Sequence, residues 1–216
     1  MRGTIAWIGI GMSAGIIVGW TCGASPQPPR PTTVAPPASA GPKPTPPDPS
    51  TLVETLERES RPGEEHRRLG VLIGEWDARG SFWTSPGSEP IVSEGRANGA
   101  WILGERFLRF ETSVRVGGRP GVDSLAIFGY DTRLGRATVY SIDTWASYGM
   151  FASGPRDDDR VSWSLEGESF QPGVGSLRFR WIIREENPGR VVMEAQAPLE
   201  GGEWFTASRT EFTRRP

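Results

Sequence analysis

Beyond Gly74 the chain reads as ten short segments in which apolar and polar side chains alternate, each set off by turn-forming residues. A period of two is the signature of strands with one buried face, and no helix can satisfy it. In "GEWDARGSFWT" Trp76, Ala78, Gly80 and Phe82 share a face, and Glu75, Asp77 and Arg79 take the other. In "SLRFRWIIRE" Leu177, Phe179, Trp181 and Ile183 lie opposite Arg178 and Arg180, and Val161, Trp163 and Leu165 align in the same way. The connections, among them "SPGSEP", "DTRLGR", "ENPG" and "LEGG", are short enough for hairpins. Successive strands are therefore antiparallel neighbours in an up-and-down order. A sheet of this size forms a sandwich or a barrel, and a barrel removes the exposed edges. The expected fold is all-β: an antiparallel up-and-down barrel of about ten strands preceded by a short helix. "STLVETLERES" (50–60) and "PGEEHRRLGVLI" (62–73) carry the helix formers, with Pro62 suited to a first helical position.

The residues before the strands are of two other kinds. "SPQPPRPTTVAPPASAGPKPTPPDPS" (25–50) has almost no large apolar side chain. Its prolines remove backbone donors and favour extended polyproline II, so 25–50 is expected to be a disordered linker. Residues 1–24 pair one early Arg with an uncharged run to Trp20 and small residues after it, the pattern of an export signal. Cleavage after Ala24 would release a free protein, whereas lipidation of Cys22 would leave a tethered lipoprotein. Either route places the 51–216 domain outside the cytoplasm, in the periplasm or cell envelope. Contact with a membrane is expected only through such a lipid or an uncleaved anchor. The chain holds 24 Lys and Arg against 26 Asp and Glu with no basic stripe, which argues against nucleic acid as a partner. One His and one Cys leave nothing to ligate zinc, and no phosphate loop, dinucleotide fingerprint or nucleophile elbow occurs. No metal and no cofactor are expected.

Gly74-Glu75-Trp76 resembles the Gly-x-Trp signature of lipocalins and other calycins. In those barrels the Trp plugs one end and packs on an Arg of the last strand, a role the resemblance passes to Arg209, with Arg214 as the alternative. A wider resemblance runs through "HRRLGVLIGEW", "SEGRANGAWILGERFLRFE", "IFGYDTRLGRATVYSIDT", "GMFASG" and "TASRTEFTRR". These segments are similar to an uncharacterised bacterial family, domain of unknown function 1579. The matching positions are His66, Leu69, Gly74, Trp76, Ile102, Leu103, Gly104, Arg106, Phe107, Gly129, Tyr130 and Asp131. The family implies a lipocalin-like barrel and no established activity.

Candidate site residues follow from the alternation. His66, the only histidine, reads as a general base at the barrel rim or as a capping residue that orients its helix. Tyr130 reads as a donor to a ligand or as an anchor of the turn that begins at Asp131. In "TVYSIDTWASYGM" Ser141, Asp143 and Trp145 share one face. If that face is inward, Asp143 stands in a cavity and needs a partner such as Arg106 or Arg109. If the register is reversed, Asp143 is a solvated surface residue. With aromatic and Met side chains (Met150, Trp163, Phe179, Trp181, Met193) lining the interior, the sequence predicts an exported protein that binds a small, largely apolar molecule. The expected ligand set is Arg106, Tyr130, Asp143, Trp145, Met150, Trp163 and Trp181. The alternatives are a side-chain-filled barrel with a structural or interaction role, and an enzyme using Tyr130, Asp143, Arg106 and His66.

Overall fold

A computed structural model describes residues 48–117, 119–156, 162–171, 175–199 and 201–216. The expectations for the export segment 1–24 with Cys22, for the linker as far as residue 47 and for Val161 lie outside the described residues. Helix α1 (Pro49–Glu59) starts where the Asp48 carboxylate accepts the Ser50 N–H at 3.2 Å, with Pro49 in the first turn. It belongs to a different compact unit from the barrel, whose own unit runs on from Pro62. Helix α2 (Glu64–Arg68) begins after Gly63, so Pro62 precedes the helix instead of opening it. A 3₁₀ turn over Leu69–Leu72 then leads into the sheet.

The strands are β1 (Gly74–Phe82), β2 (Ile91–Ile102), β3 (Phe107–Val116), β4 (Arg119–Asp131) and β5 (Arg136–Asp143). There follow β6 (Met150–Gly154), β7 (Ser162–Gln171), β8 (Gly175–Asn187), β9 (Arg190–Pro198) and β10 (Trp204–Arg214). Each strand pairs antiparallel with its neighbours in sequence, and β1 pairs with β10 to close the barrel. The up-and-down ten-stranded barrel expected from the alternation is the fold of the domain.

The two-residue period fixes which side chains go inside. Trp76, Ala78 and Phe82 of β1 are buried while Glu75, Asp77 and Arg79 are exposed, and Phe179, Trp181 and Ile183 of β8 point in. One end of the barrel is plugged by the 3₁₀ turn. Leu69 and Leu72 drop onto Trp76 and Phe110, all 2% exposed or less. Two glycines make this plug fit. Gly74 has φ +110°, where the chain swings from the turn into β1. At Gly99 a Cβ would lie 1.9 Å from the Leu72 carbonyl oxygen, so only glycine lets the turn settle on β2. Phe110 stands edge-on to Phe128 and to Phe212, with centroids 6.4 and 5.3 Å away, and fills the half of the barrel above the plug. At the far end Phe82, Val116 and Val122 form a separate small cluster.

Candidate functional site

The plugged end explains several of the candidate residues. The Trp76 indole N–H donates to the Leu72 carbonyl at 3.0 Å, and the Arg214 guanidinium lies 4.3 Å from its ring centroid. Arg214 also donates to the Ile73 and Val71 carbonyls, so one side chain ties β10, β1 and the turn together. Arg209 does not perform this role. It sits on the outer face of β10, held by Glu194 at 2.8 Å, Glu186 at 3.1 Å and Glu211 at 3.2 Å. The register is the reason: Trp76 faces Arg214, and Arg209 has the opposite parity.

His66 is buried, and its Nδ1 accepts the Gly63 N–H at 3.1 Å, which leaves the ring proton on Nε2. It packs edge-on to Tyr130 at 5.9 Å. Burial, helped by the positive charge of Arg106, pushes its pKa below the usual imidazole range. Arg106 follows a turn in which Leu103, Gly104 and Glu105 all have φ between 53° and 63°. Its guanidinium donates to the Leu103 and Gly104 carbonyls at 3.4 Å, which braces this left-handed run. Asp131 accepts the Arg133 and Leu134 backbone N–H groups and pairs with the Arg133 guanidinium at 2.8 Å, and that pairing drops its pKa to about 2. His66, Arg106 and Tyr130 are thus brought together, as parts of a helix cap, a turn and a plug.

Asp143 is at the other end. It pairs across the sheet with Ser124, six residues from Tyr130 along β4, a separation of roughly 20 Å. The set proposed for catalysis is therefore split between the two ends. The inward register holds: Ala137, Val139 and Ser141 are buried, and Asp143 follows them, half-buried. Its partner is neither of the arginines expected. Arg109 is on the outer face beside Glu111, and Arg106 is in the distant turn. Instead its Oδ1 accepts the Trp145 N–H at 2.7 Å, forming the turn that ends β5. Burial raises the Asp143 pKa, while hydrogen bonds from the Trp145 and Ala146 amides pull it back. Trp145 itself lies beyond the strand, 42% exposed.

Of the other expected wall residues, Met150 and Trp163 are part of the packed core, and Trp181 faces open space. That space is a chamber of about 60 Å³ between Phe82, Ser93, Thr112 and Val114 on one side and Trp181, Met193, Thr210 and Phe212 on the other. A row of small hydroxyls, unnoticed in the sequence except for Ser141, leads away from it. Thr112 pairs with Ser124 across β3 and β4, their hydroxyls 2.5 Å apart. Ser141 lies a diagonal step away on β5, opposite Ala126, 0% exposed, and its Oγ has no hydrogen-bond partner among the described residues. The available signal was a Ser or Thr at an inward parity on three consecutive strands. Among the described residues no three His, Cys, Asp or Glu side chains are placed to hold a metal. No described helix is long and apolar enough to cross a membrane.

The model of a family described as a protein of unknown function, DUF1579, matches residues 61–214, which run from just before α2 to the end of β10. The chain belongs to the DUF1579 family. No curated protein matches it significantly. Among solved structures, this DUF1579 chain is similar to Rv2717c from M. tuberculosis at 16% identity and a TM-score of 0.53, over 72% of this chain and all of that one. This likeness supports the barrel and nothing finer. A structure of EF1p2_mFAP2b bound to DFHBI aligns at 9% identity and a TM-score of 0.37, over 69% of this chain and 98% of that one.

Proposed function

We propose that this DUF1579 barrel is a binding protein for a small hydrogen-bonding molecule of a few heavy atoms. The molecule is held in the chamber under Trp181 and Met193, against the hydroxyls of Ser93, Thr112 and Thr210, which line it. The observation that carries the reading is the chamber itself, where the hydroxyls of Ser93, Thr112 and Thr210 stand among Trp181, Met193 and Phe212. Each hydrogen bond that a ligand makes to these hydroxyls contributes about 0.5–1.5 kcal/mol. The chamber narrows the ligand class. At about 60 Å³ it takes a few water-sized groups, far short of the roughly 300 Å³ of ordinary metabolite pockets. A largely apolar ligand of lipocalin size would have to displace Trp181 or Met193. The small chamber also favours a second reading, a barrel filled by its own side chains that acts through its outer surface. For the site of action we keep export to the periplasm or envelope, which rests on the apolar run before Cys22 and the Pro-rich stretch after it.

Native mass spectrometry of the full chain, purified from a bacterial host without denaturant, tests the proposal. A small extra mass that is lost on unfolding, and is missing from Thr112→Val, is the expected result. Ser141→Ala should be about 1 kcal/mol more stable whether or not a ligand is bound, because its orphan hydroxyl is gone. A clean mass for the wild type after exposure to a pool of small polar metabolites would sink the binding reading in favour of the filled barrel.

A further inference from the structure

The outer face of the barrel carries an apolar band where water-facing strands normally carry polar groups. Leu125 pairs with Ile142, Ile127 with Tyr140, and Tyr140 with Phe151, so these side chains form one continuous outward patch across β4, β5 and β6. Tyr140 is 48% exposed and Phe151 54%. The loop between β5 and β6 extends the patch with Trp145 and Tyr148, both well exposed. Among the described residues no charged side chain interrupts it; Arg109, Glu111 and Asp123 stand at its border. Beside the band, the outward positions of β1 to β5 form an open recess of about 670 Å³, whose lining includes Glu75, Arg96, Asn98, Glu111, Asp123 and Arg215. Leu125 and Ile142 line the recess and also belong to the band.

We propose that this face is a two-fold interface between two copies of the chain, the aromatic band of each lying in the recess of the other. The sharing of Leu125 and Ile142 is what points to a second copy. A two-fold axis through them seats both bands in both recesses at once, and such a contact closes at a dimer. The area agrees. The exposed parts of Tyr140, Ile142, Trp145, Tyr148 and Phe151 amount to roughly 450 Å². A standard interface of about 800 Å² per partner, some 57% apolar, needs nearly the same. In this arrangement the exposed Arg96 meets the partner's aromatic rings, a favourable cation–π contact. The proposal is independent of what the interior chamber holds.

Sedimentation equilibrium of the full chain tests it. The expected result is a reversible dimer that Phe151→Glu and Arg96→Glu each weaken at least tenfold. Phe170→Glu, at a site 69% exposed on β7 and outside the band, should leave it unchanged. All three positions face outward, so far-UV circular dichroism should not change. If Phe151→Glu fails to fold, Phe151→Ser removes the ring without adding a charge and reads the same shift. A chain that stays monomeric as its concentration rises, or a dimer indifferent to the band variants, overturns the proposal. A dimer that loses affinity with Phe151→Glu but not with Arg96→Glu overturns the packing of band into recess.

Discussion

Replacing Arg214 by Ala is the most direct perturbation of the plugged end. Three contacts disappear together: stacking on Trp76 at 4.3 Å, and hydrogen bonds to the Ile73 and Val71 carbonyls. The cation–π contact contributes about 0.5–2 kcal/mol depending on how far it is desolvated. A hydrogen bond from a charged donor contributes about 1.5–3 kcal/mol when buried, and these two are at the edge of the barrel, where water replaces part of the loss. The sum is about 2–4 kcal/mol, a fall in Tm of roughly 5–12 °C for a domain of this size. Urea denaturation followed by tryptophan fluorescence reads it directly. Arg209→Ala is the internal control. Arg209 has more ion-pair partners, but they lie on the outer surface, and Glu194 keeps Arg184 at 2.8 Å when Arg209 is removed. Exposed networks of this kind contribute about 1 kcal/mol or less. Arg214→Lys should recover little, since an ammonium cannot both stack on the indole and reach two carbonyls. If Arg209→Ala costs as much as Arg214→Ala, the assignment of Arg214 as the tie between β10 and β1 is wrong.

Two further outcomes follow from the interior. Trp181→Ala should cost about 3–5 kcal/mol and enlarge the chamber toward the roughly 150 Å³ void that takes up benzene. A rise in Tm with benzene in the variant and not in the wild type would establish that Trp181 closes the chamber; no rise in either would mean the space collapses. His66 sets a pH limb. Its folded pKa lies below the unfolded value of about 6.5, so the stability it contributes is present above that pH and is lost as pH falls through the folded pKa. Protonation also removes the Nδ1 acceptor of the Gly63 N–H. His66→Gln, whose side-chain oxygen can accept the same hydrogen, should flatten the fall in urea midpoint between pH 7 and 5, and an unchanged limb would place the titrating group elsewhere.

The barrel was legible because parity is a strong constraint: each inward residue fixes every second neighbour along its strand, and ten strands repeat the message. The same rule separates Arg209 from Arg214. Phe212 is buried and inward, so Arg214 shares its side and Arg209 does not. How far the interior is filled was not legible. Volume depends on how ten inward sets interlock, and the contrast between Ala126 and Phe110, opposite each other on β4 and β3, has meaning only once they are paired. Trp145 misled because alternation was carried past the end of β5, where the hydrogen bond from its own N–H to Asp143 has already turned the chain.

Strand β5 is where the pattern left two registers open, and the reason bears on the surface. Ala137 and Val139 are apolar and inward, but Tyr140 and Ile142 are apolar and outward, so alternation alone could not choose between the faces. Placing Tyr140 and Ile142 inward would send Val139 and Ser141 to the surface and push a phenol ring against Phe128, beside the position Val139 now fills. The small side chains went in because the inward space beside Phe128 and Met150 is already taken. The large ones were left outside, where a strand facing only water gains nothing from them. A two-faced apolar strand in a closed barrel is stable without a second contact, but it leaves an outer surface that water disfavours. The ambiguity of β5 in the sequence and the aromatic band on the barrel are thus one fact, and a second copy seated on that band would account for both.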